Sequence, residues 1–152
     1  SAVPPEYTPW FTKMDAKGKT EINASLAGQY VASQNKMPDL SFAMNINDGY
    51  LDYEKAPASV KNLLFKFSAK LPQLNTDSLK VDIDTLHFTL DKSYLNANMH
   101  IVGVNHVNLK AFADADLDAE KLFDATGIQG LDIKGNYKCK LIANGNYYAK
   151  VV

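Results

Sequence analysis

Arginine is missing from this chain: all sixteen of its basic residues are lysine. Arginine is the usual bidentate clamp on phosphate and carboxylate and the usual reader of guanine, so its absence argues against nucleotide and nucleic-acid recognition. Net charge is equally uninformative to such partners, since sixteen basic residues face seventeen acidic ones and leave a formal charge of −1. No excess of positive charge is available to attract a polyanion. Cysteine is nearly absent too. The single Cys139 can form no internal disulfide, and its place in an alternating run between Tyr137 and Leu141 reads as a small buried hydrophobe. No run of about 18 apolar residues occurs, which excludes a helical membrane span within the sequence. The chain opens Ser-Ala-Val-Pro-Pro, without an initiator methionine or the basic start and apolar middle of a signal peptide. It is expected to be a piece of a longer protein, from which a targeting or anchoring segment has been removed.

What the chain has in abundance is alternation. Leu40, Phe42, Met44 and Ile46 are apolar at every second position, as are Leu63, Phe65, Phe67, Ala69 and Leu71. Leu79, Val81 and Ile83 continue the pattern, then Leu95, Ala97, Met99 and Ile101, then Val107, Leu109, Ala111, Ala113, Ala115 and Leu117. A period of two places alternate side chains on opposite faces of a strand, so each segment carries one apolar and one polar face. Between Ile83 and Leu86 the apolar positions switch from odd to even, the mark of a β-bulge near Asp84–Thr85. Asn47-Asp48-Gly49-Tyr50 reads as a type I′ hairpin that would set Ile46 opposite Leu51, and Asn144-Gly145 reads as a second hairpin. Eight or nine strands result.

Only one segment reads as helix, near 119–126. Asp118 can cap it, Glu120 lies in its first turn where negative charge is favourable, and Gly127 ends it. Residues 1–18, with Pro4, Pro5 and Pro9 around Tyr7, Trp10 and Phe11, are expected to form an extended lead-in, with Trp10 and Phe11 packing onto the domain or onto whatever precedes it. Residues 19–152 then form a single β-rich domain. The expected fold is mainly β: a bent antiparallel sheet forming a half-barrel or groove, with a closed β-sandwich as the alternative.

A search for chemistry finds no catalytic constellation. His87 and His100 alternate with apolar neighbours and belong on the polar face, and His106 lies near a turn. No paired-cysteine, His-x-His or His-Glu-x-x-His spacing offers a metal site. Asp114, Asp116 and Asp118 superficially resemble a calcium loop, but Ala119 stands where the loop glycine belongs and Ala125 where the bidentate glutamate belongs. There is no nucleophile elbow, phosphate-binding glycine loop or dinucleotide fingerprint. Tyr50, Tyr94, Tyr147 and Phe112 offer outward aromatic surface for a carbohydrate-binding reading, although scattered exposed aromatics are ordinary.

Several segments carry a family resemblance in a consistent order. They are Asn45-Ile46-Asn47-Asp48-Gly49-Tyr50, Lys55-Ala56-Pro57 with Val60 and Asn62-Leu63, Leu71-Pro72, and Thr76-Asp77-Ser78-Leu79. Asp82-Ile83-Asp84-Thr85-Leu86, Phe88-Thr89-Leu90-Asp91-Lys92-Ser93 and Leu117-Asp118-Ala119-Glu120-Lys121-Leu122 follow, with Gly130 and Gly135 beyond. Over roughly residues 18–145 the chain resembles the C-terminal region of the AsmA family, in its Bacteroidetes-type versions. The resemblance implies a periplasmic, non-catalytic protein without cofactor, anchored to the inner membrane by a segment outside this chain. It also implies a part in outer-membrane biogenesis and a likeness to lipid-transfer proteins whose bent sheet carries acyl chains.

On that reading the partner is a phospholipid or other acyl lipid. The lipid-facing candidates are Phe42, Met44, Ile46, Phe65, Phe67, Ile83, Phe88, Met99 and Ile101. The alternative is a structural or protein-interaction module of the cell envelope with a dry core and no ligand. The run Tyr147 to Val152 carries Lys150 as its only charge, so pairing of that edge with neighbouring segments is a further expectation.

Overall fold

The computed structural model describes residues 5–148. Seven strands form one antiparallel sheet in strict chain order, β1 to β7, and the sheet does not close. They are β1 (Met14–Ala27), β2 (Asp39–Tyr53), β3 (Val60–Leu71), β4 (Lys80–Leu90), β5 (Ser93–Val102), β6 (His106–Asp118) and β7 (Asn136–Tyr148). Two short helices accompany them, α1 (Thr8–Thr12) and α2 (Ala119–Thr126). The architecture is therefore the mainly β, bent open sheet, and among the described residues there is no second sheet to make a sandwich.

Register places all the alternating apolar residues on one face. Ile46 lies opposite Phe65, Met44 opposite Phe67, Phe67 opposite Ile83, and Ile83 opposite Met99. A register shift between Ile83 and Leu86 sets Asp84 and Thr85 against the single Asn98, one extra residue in β4 and the bulge that the phase switch in the sequence indicates. Because β4 bulges against both neighbours, Leu86, Phe88 and Leu90 return to the apolar face.

Asp48-Gly49 is also a bulge and not a hairpin. β2 runs unbroken from Asp39 to Tyr53, and its register shifts against both β1 and β3 at this point. Asp48 adopts the positive φ that the dipeptide favours, at 51°, but uses it to rephase the strand. Ile46 and Leu51 consequently sit on one strand and share a face, where a hairpin would have opposed them. Close approach explains the glycines: a Cβ on Gly49 would lie 2.7 Å from the Leu63 Cβ, and one on Gly18 would lie 2.9 Å from the Gly49 Cα. Asn144-Gly145 likewise lies inside β7, opposite Lys110 and Leu109, so β7 is one long strand and the described strands number seven. The sequence beyond Tyr148 lies outside the described residues.

The N-terminal segment differs from an extended lead-in. Residues 5–12 form helical turns, and β1 begins at Met14. The Trp10 indole N–H donates to the Thr126 carbonyl at 2.8 Å, tying this segment to the end of α2. The packing expected of Phe11 lies outside the described side chains.

Helix α2 forms where its caps direct. The Asp118 carboxylate accepts from the Lys121 backbone N–H at 3.2 Å, and Gly127 ends the helix with φ 68°. A Cβ on Gly127 would meet the Tyr53 ring at 2.5 Å, so the stop and the docking of the helix require the same glycine. Its apolar side covers one end of the apolar face, where Ala125, Val60 and Leu90 are buried with Leu51, Leu63, Phe88 and Leu122 against them. Leu90 is the only large side chain withdrawn completely from solvent among the described residues. Leu90→Ala is expected to cost about 3 kcal/mol by creating a cavity, whereas Ile22→Ala, at a side chain 58% exposed on the same face, should cost at most about 1 kcal/mol. Urea denaturation of the two variants measures the difference, and equal losses would show that both ends of the face are covered.

Candidate functional site

The apolar face is ordered as rows crossing the strands. One row runs Ile22, Met44, Phe67, Ile83, Met99, Ala111 and Ala143, from β1 to β7 without a polar interruption. A neighbouring row runs Ala24, Phe42, Ala69, Val81, Ile101, Leu109 and Gly145. On the α2 side a third runs Thr20, Ile46, Phe65, Leu86, Ala97, Ala113 and Leu141. Eight of the nine candidates stand in these rows; Phe88 lies one step nearer α2, opposite Leu95. All nine share one face, and all are half-buried. The Phe65 and Phe67 rings stack at 6.0 Å, and Phe42 meets Phe67 edge-on at 5.9 Å, so the rings fix each other's orientation.

Among the described residues no second layer covers these rows beyond α2. Towards the sheet edges exposure is substantial: Leu26 is 66% exposed on β1, and Leu141 and Tyr147 are 48% and 64% exposed on β7. Strand spacing and rise make the face about 30 Å across and about 40 Å long before curvature. That is well above the apolar patches of about 300–600 Å² that monomeric soluble proteins expose. Bulk is unevenly distributed. Phenylalanine, methionine and isoleucine crowd β2 to β5, whereas Ala111, Ala113 and Ala115 on β6 and Ala143 and Gly145 on β7 leave the floor low. The β7 part of this floor escapes a reading of the sequence that takes Asn144-Gly145 for a turn, although the alternation through Ala143 and Tyr147 carries the signal.

The opposite face is polar and internally bonded. His100 Nδ1 lies 2.8 Å from Asp82 Oδ1, and His87 Nδ1 pairs with the Asn96 side chain. Asn108 donates to Asn146 at 2.7 Å, and the Ser25 and Ser41 hydroxyls meet at 2.7 Å. The aspartates of β6 are similarly engaged. Asp114 accepts from the Tyr94 hydroxyl at 3.2 Å, Asp116 accepts from Asn136 at 3.0 Å and pairs with Lys138, and Asp118 caps α2. Accepting that hydrogen bond, Asp114 holds the Tyr94 hydroxyl above the ordinary phenol range, which makes it a poorer proton donor. Among the described residues no three His, Cys, Asp or Glu side chains converge as metal ligands do.

Several concave spaces outside the apolar face border α2, and another lies at Tyr94, Asp114, Asp116, Lys138 and Lys140. One of about 590 Å³ is bordered by Ser59, Lys61, Thr89, Asp91 and Lys121. There Lys121 Nζ reaches Asp91 Oδ2 at 2.6 Å, holding the Asp91 carboxyl below the usual carboxylate range and the lysine above its own. The pair ties α2 to the β4–β5 turn.

Two surface residues depart from expectation. Tyr147 lies on the apolar face opposite Val107, so it is not part of an outward aromatic patch with Tyr50, Tyr94 and Phe112. Cys139 does point to the apolar face, opposite Ala115, but it is exposed because none of the described residues covers β7 there. No family model matches the chain, and no curated protein or solved structure gives a match. The folded protein is expected to react with a thiol-specific chromogenic reagent at a rate close to that of its denatured form. Protection of Cys139 by a hundredfold or more would mean that the β7 end of the face is covered.

Proposed function

We propose that this chain is a non-catalytic AsmA-like module of the periplasm that binds or guides phospholipid acyl chains along its apolar face in outer-membrane biogenesis. The observation that carries the reading is the unbroken apolar surface crossing seven strands, which the described residues cover at only one end. An acyl chain is a long, flexible, uncharged ligand, and such a surface satisfies it by area alone, at about 0.8 kcal/mol for each methylene withdrawn from water. The alanine and glycine floor along β6 and β7, flanked by Met99 and Ile101 on β5, gives the chain a place to lie. Helix α2 closes the face at one end, while at the far end of this floor Tyr147 on β7 stays exposed. The order of motifs shared with the AsmA family supports the same assignment, with attachment to the inner membrane through a segment outside this chain.

Headgroup selectivity follows from charge. The chain has no arginine, and its lysines are scattered over the polar face and turns, so no bidentate phosphate clamp borders the apolar face. Binding should therefore discriminate poorly between zwitterionic and anionic phospholipids of equal chain length. A second reading, an interaction module of the envelope, draws on the free edges of β1 and β7.

Mass spectrometry of organic extracts from purified protein decides between them. Phospholipid is expected in roughly stoichiometric amount, and Phe67→Asp or Met99→Asp should deplete it at least tenfold in variants whose melting transitions remain cooperative. Protein that yields no phospholipid, and acquires none from mixed phospholipid vesicles, would contradict the lipid reading and leave the interaction module.

A further inference from the structure

Strand β7 carries a feature that neither the apolar face nor the fold requires. Ile142 is 77% exposed on the polar face, where its register partner is Phe112 on β6. The two form an apolar island among Lys138, Lys140, Asn144, Asn146 and Asn108. Ile142 is also the midpoint of Asn136–Tyr148, and among the described residues no strand lies beside the outer edge of β7. A free edge offers a row of backbone donors and acceptors, which proteins normally blunt with charge, bulges or cover. The other edge of the sheet is blunted in this way: β1 carries Asp15, Lys17, Lys19 and Glu21, and its register breaks at Gly18. β7 has no such break.

We infer that two copies of this chain associate through β7, antiparallel about a two-fold axis at Ile142. Antiparallel self-pairing preserves the faces only when the axis passes through a residue, since an axis between residues would set polar positions against apolar ones. Axes at Lys138 or Lys140 oppose each lysine to itself, and an axis at Cys139 opposes Lys138 to Lys140. An axis at Ile142 pairs the strand over its whole length and opposes Lys138 to Asn146 and Lys140 to Asn144, so no like charges meet. On the polar face it places Phe112, Ile142 and the partner's Ile142 in one apolar row. On the apolar face it sets Tyr137 against the partner's Tyr147 and Leu141 against the partner's Ala143, joining the two apolar faces into one. The contact is isologous and closes at two copies.

Sedimentation equilibrium tests this association. From about 10 to about 500 µM, a range suited to a small interface, the mass should rise from 16.8 kDa towards twice that value and stop there. Ile142→Lys opposes two ammonium groups at the axis and should weaken association at least tenfold, with the melting transition unchanged because the side chain is exposed. In a Cys139→Ser background, Ile142→Cys should oxidise to a covalent dimer, since directly opposed residues lie within disulfide reach. Asn146→Cys in that background should not, because its copy lies about 27 Å away along the paired strands. A chain monomeric throughout the range would overturn the inference. So would a mass that grows past the dimer, association indifferent to Ile142→Lys, or equal cross-linking of both cysteine variants.

Discussion

A sheet with one apolar face needs something against that face, and here the described residues supply cover at one end only. The rest of its organisation depends on that constraint. Most domains bury their core between two layers; here the buried apolar side chains are confined to the contact of α2 with the ends of the strands, around Val60, Leu90 and Ala125. Away from α2 the sheet is held by its ladders and by cross-strand pairs. The edge-on Phe42–Phe67 pair between β2 and β3 serves this on one face, and hydrogen-bonded pairs such as Asn108–Asn146 and His100–Asp82 serve it on the other.

Much of this architecture is legible in the sequence because a period of two is unambiguous when one face is apolar. β3 ends where alternation does, at Leu71, although it starts at Val60, ahead of the alternating run from Leu63, and α2 begins after Asp118 and stops at Gly127. The bulge at Asp84–Thr85 is legible as a switch of phase from Ile83 to Leu86. The same signal stands at Asp48-Gly49, where apolar positions pass from Ile46 to Leu51, yet the dipeptide there is also a hairpin sequence. Strand length separates the two readings. A hairpin would leave only Leu51–Tyr53 before the break at Lys55–Ser59, too few residues to pair with Leu40–Ile46. The bulge instead lets one strand of fifteen residues keep its apolar side on one face.

Burial is harder to read than direction. Alternation states which side of the strand Cys139 and Tyr147 occupy, and both point to the apolar face as the pattern requires. Whether that face is covered depends on a second layer, and covering is a property of the whole fold rather than of the strand. The nine candidate residues illustrate the difference: their common face follows from local periodicity, whereas their half-buried state follows from α2 being too short to roof the sheet. Polar positions were equally legible, since His87, His100, Asp114 and Asp116 all stand on the opposite face.

The central claim is that the uncovered rows are a surface for acyl chains. Intermolecular nuclear Overhauser effects test it most directly, using protein labelled at methionine and alanine methyl groups and saturated with a deuterium-free phospholipid. The account predicts contacts from acyl methylene protons to Met44, Met99, Ala111 and Ala113, and none to Ala43 on the polar face of β2. Contacts absent from all of these methyls, or equal on the two faces of the sheet, would contradict it.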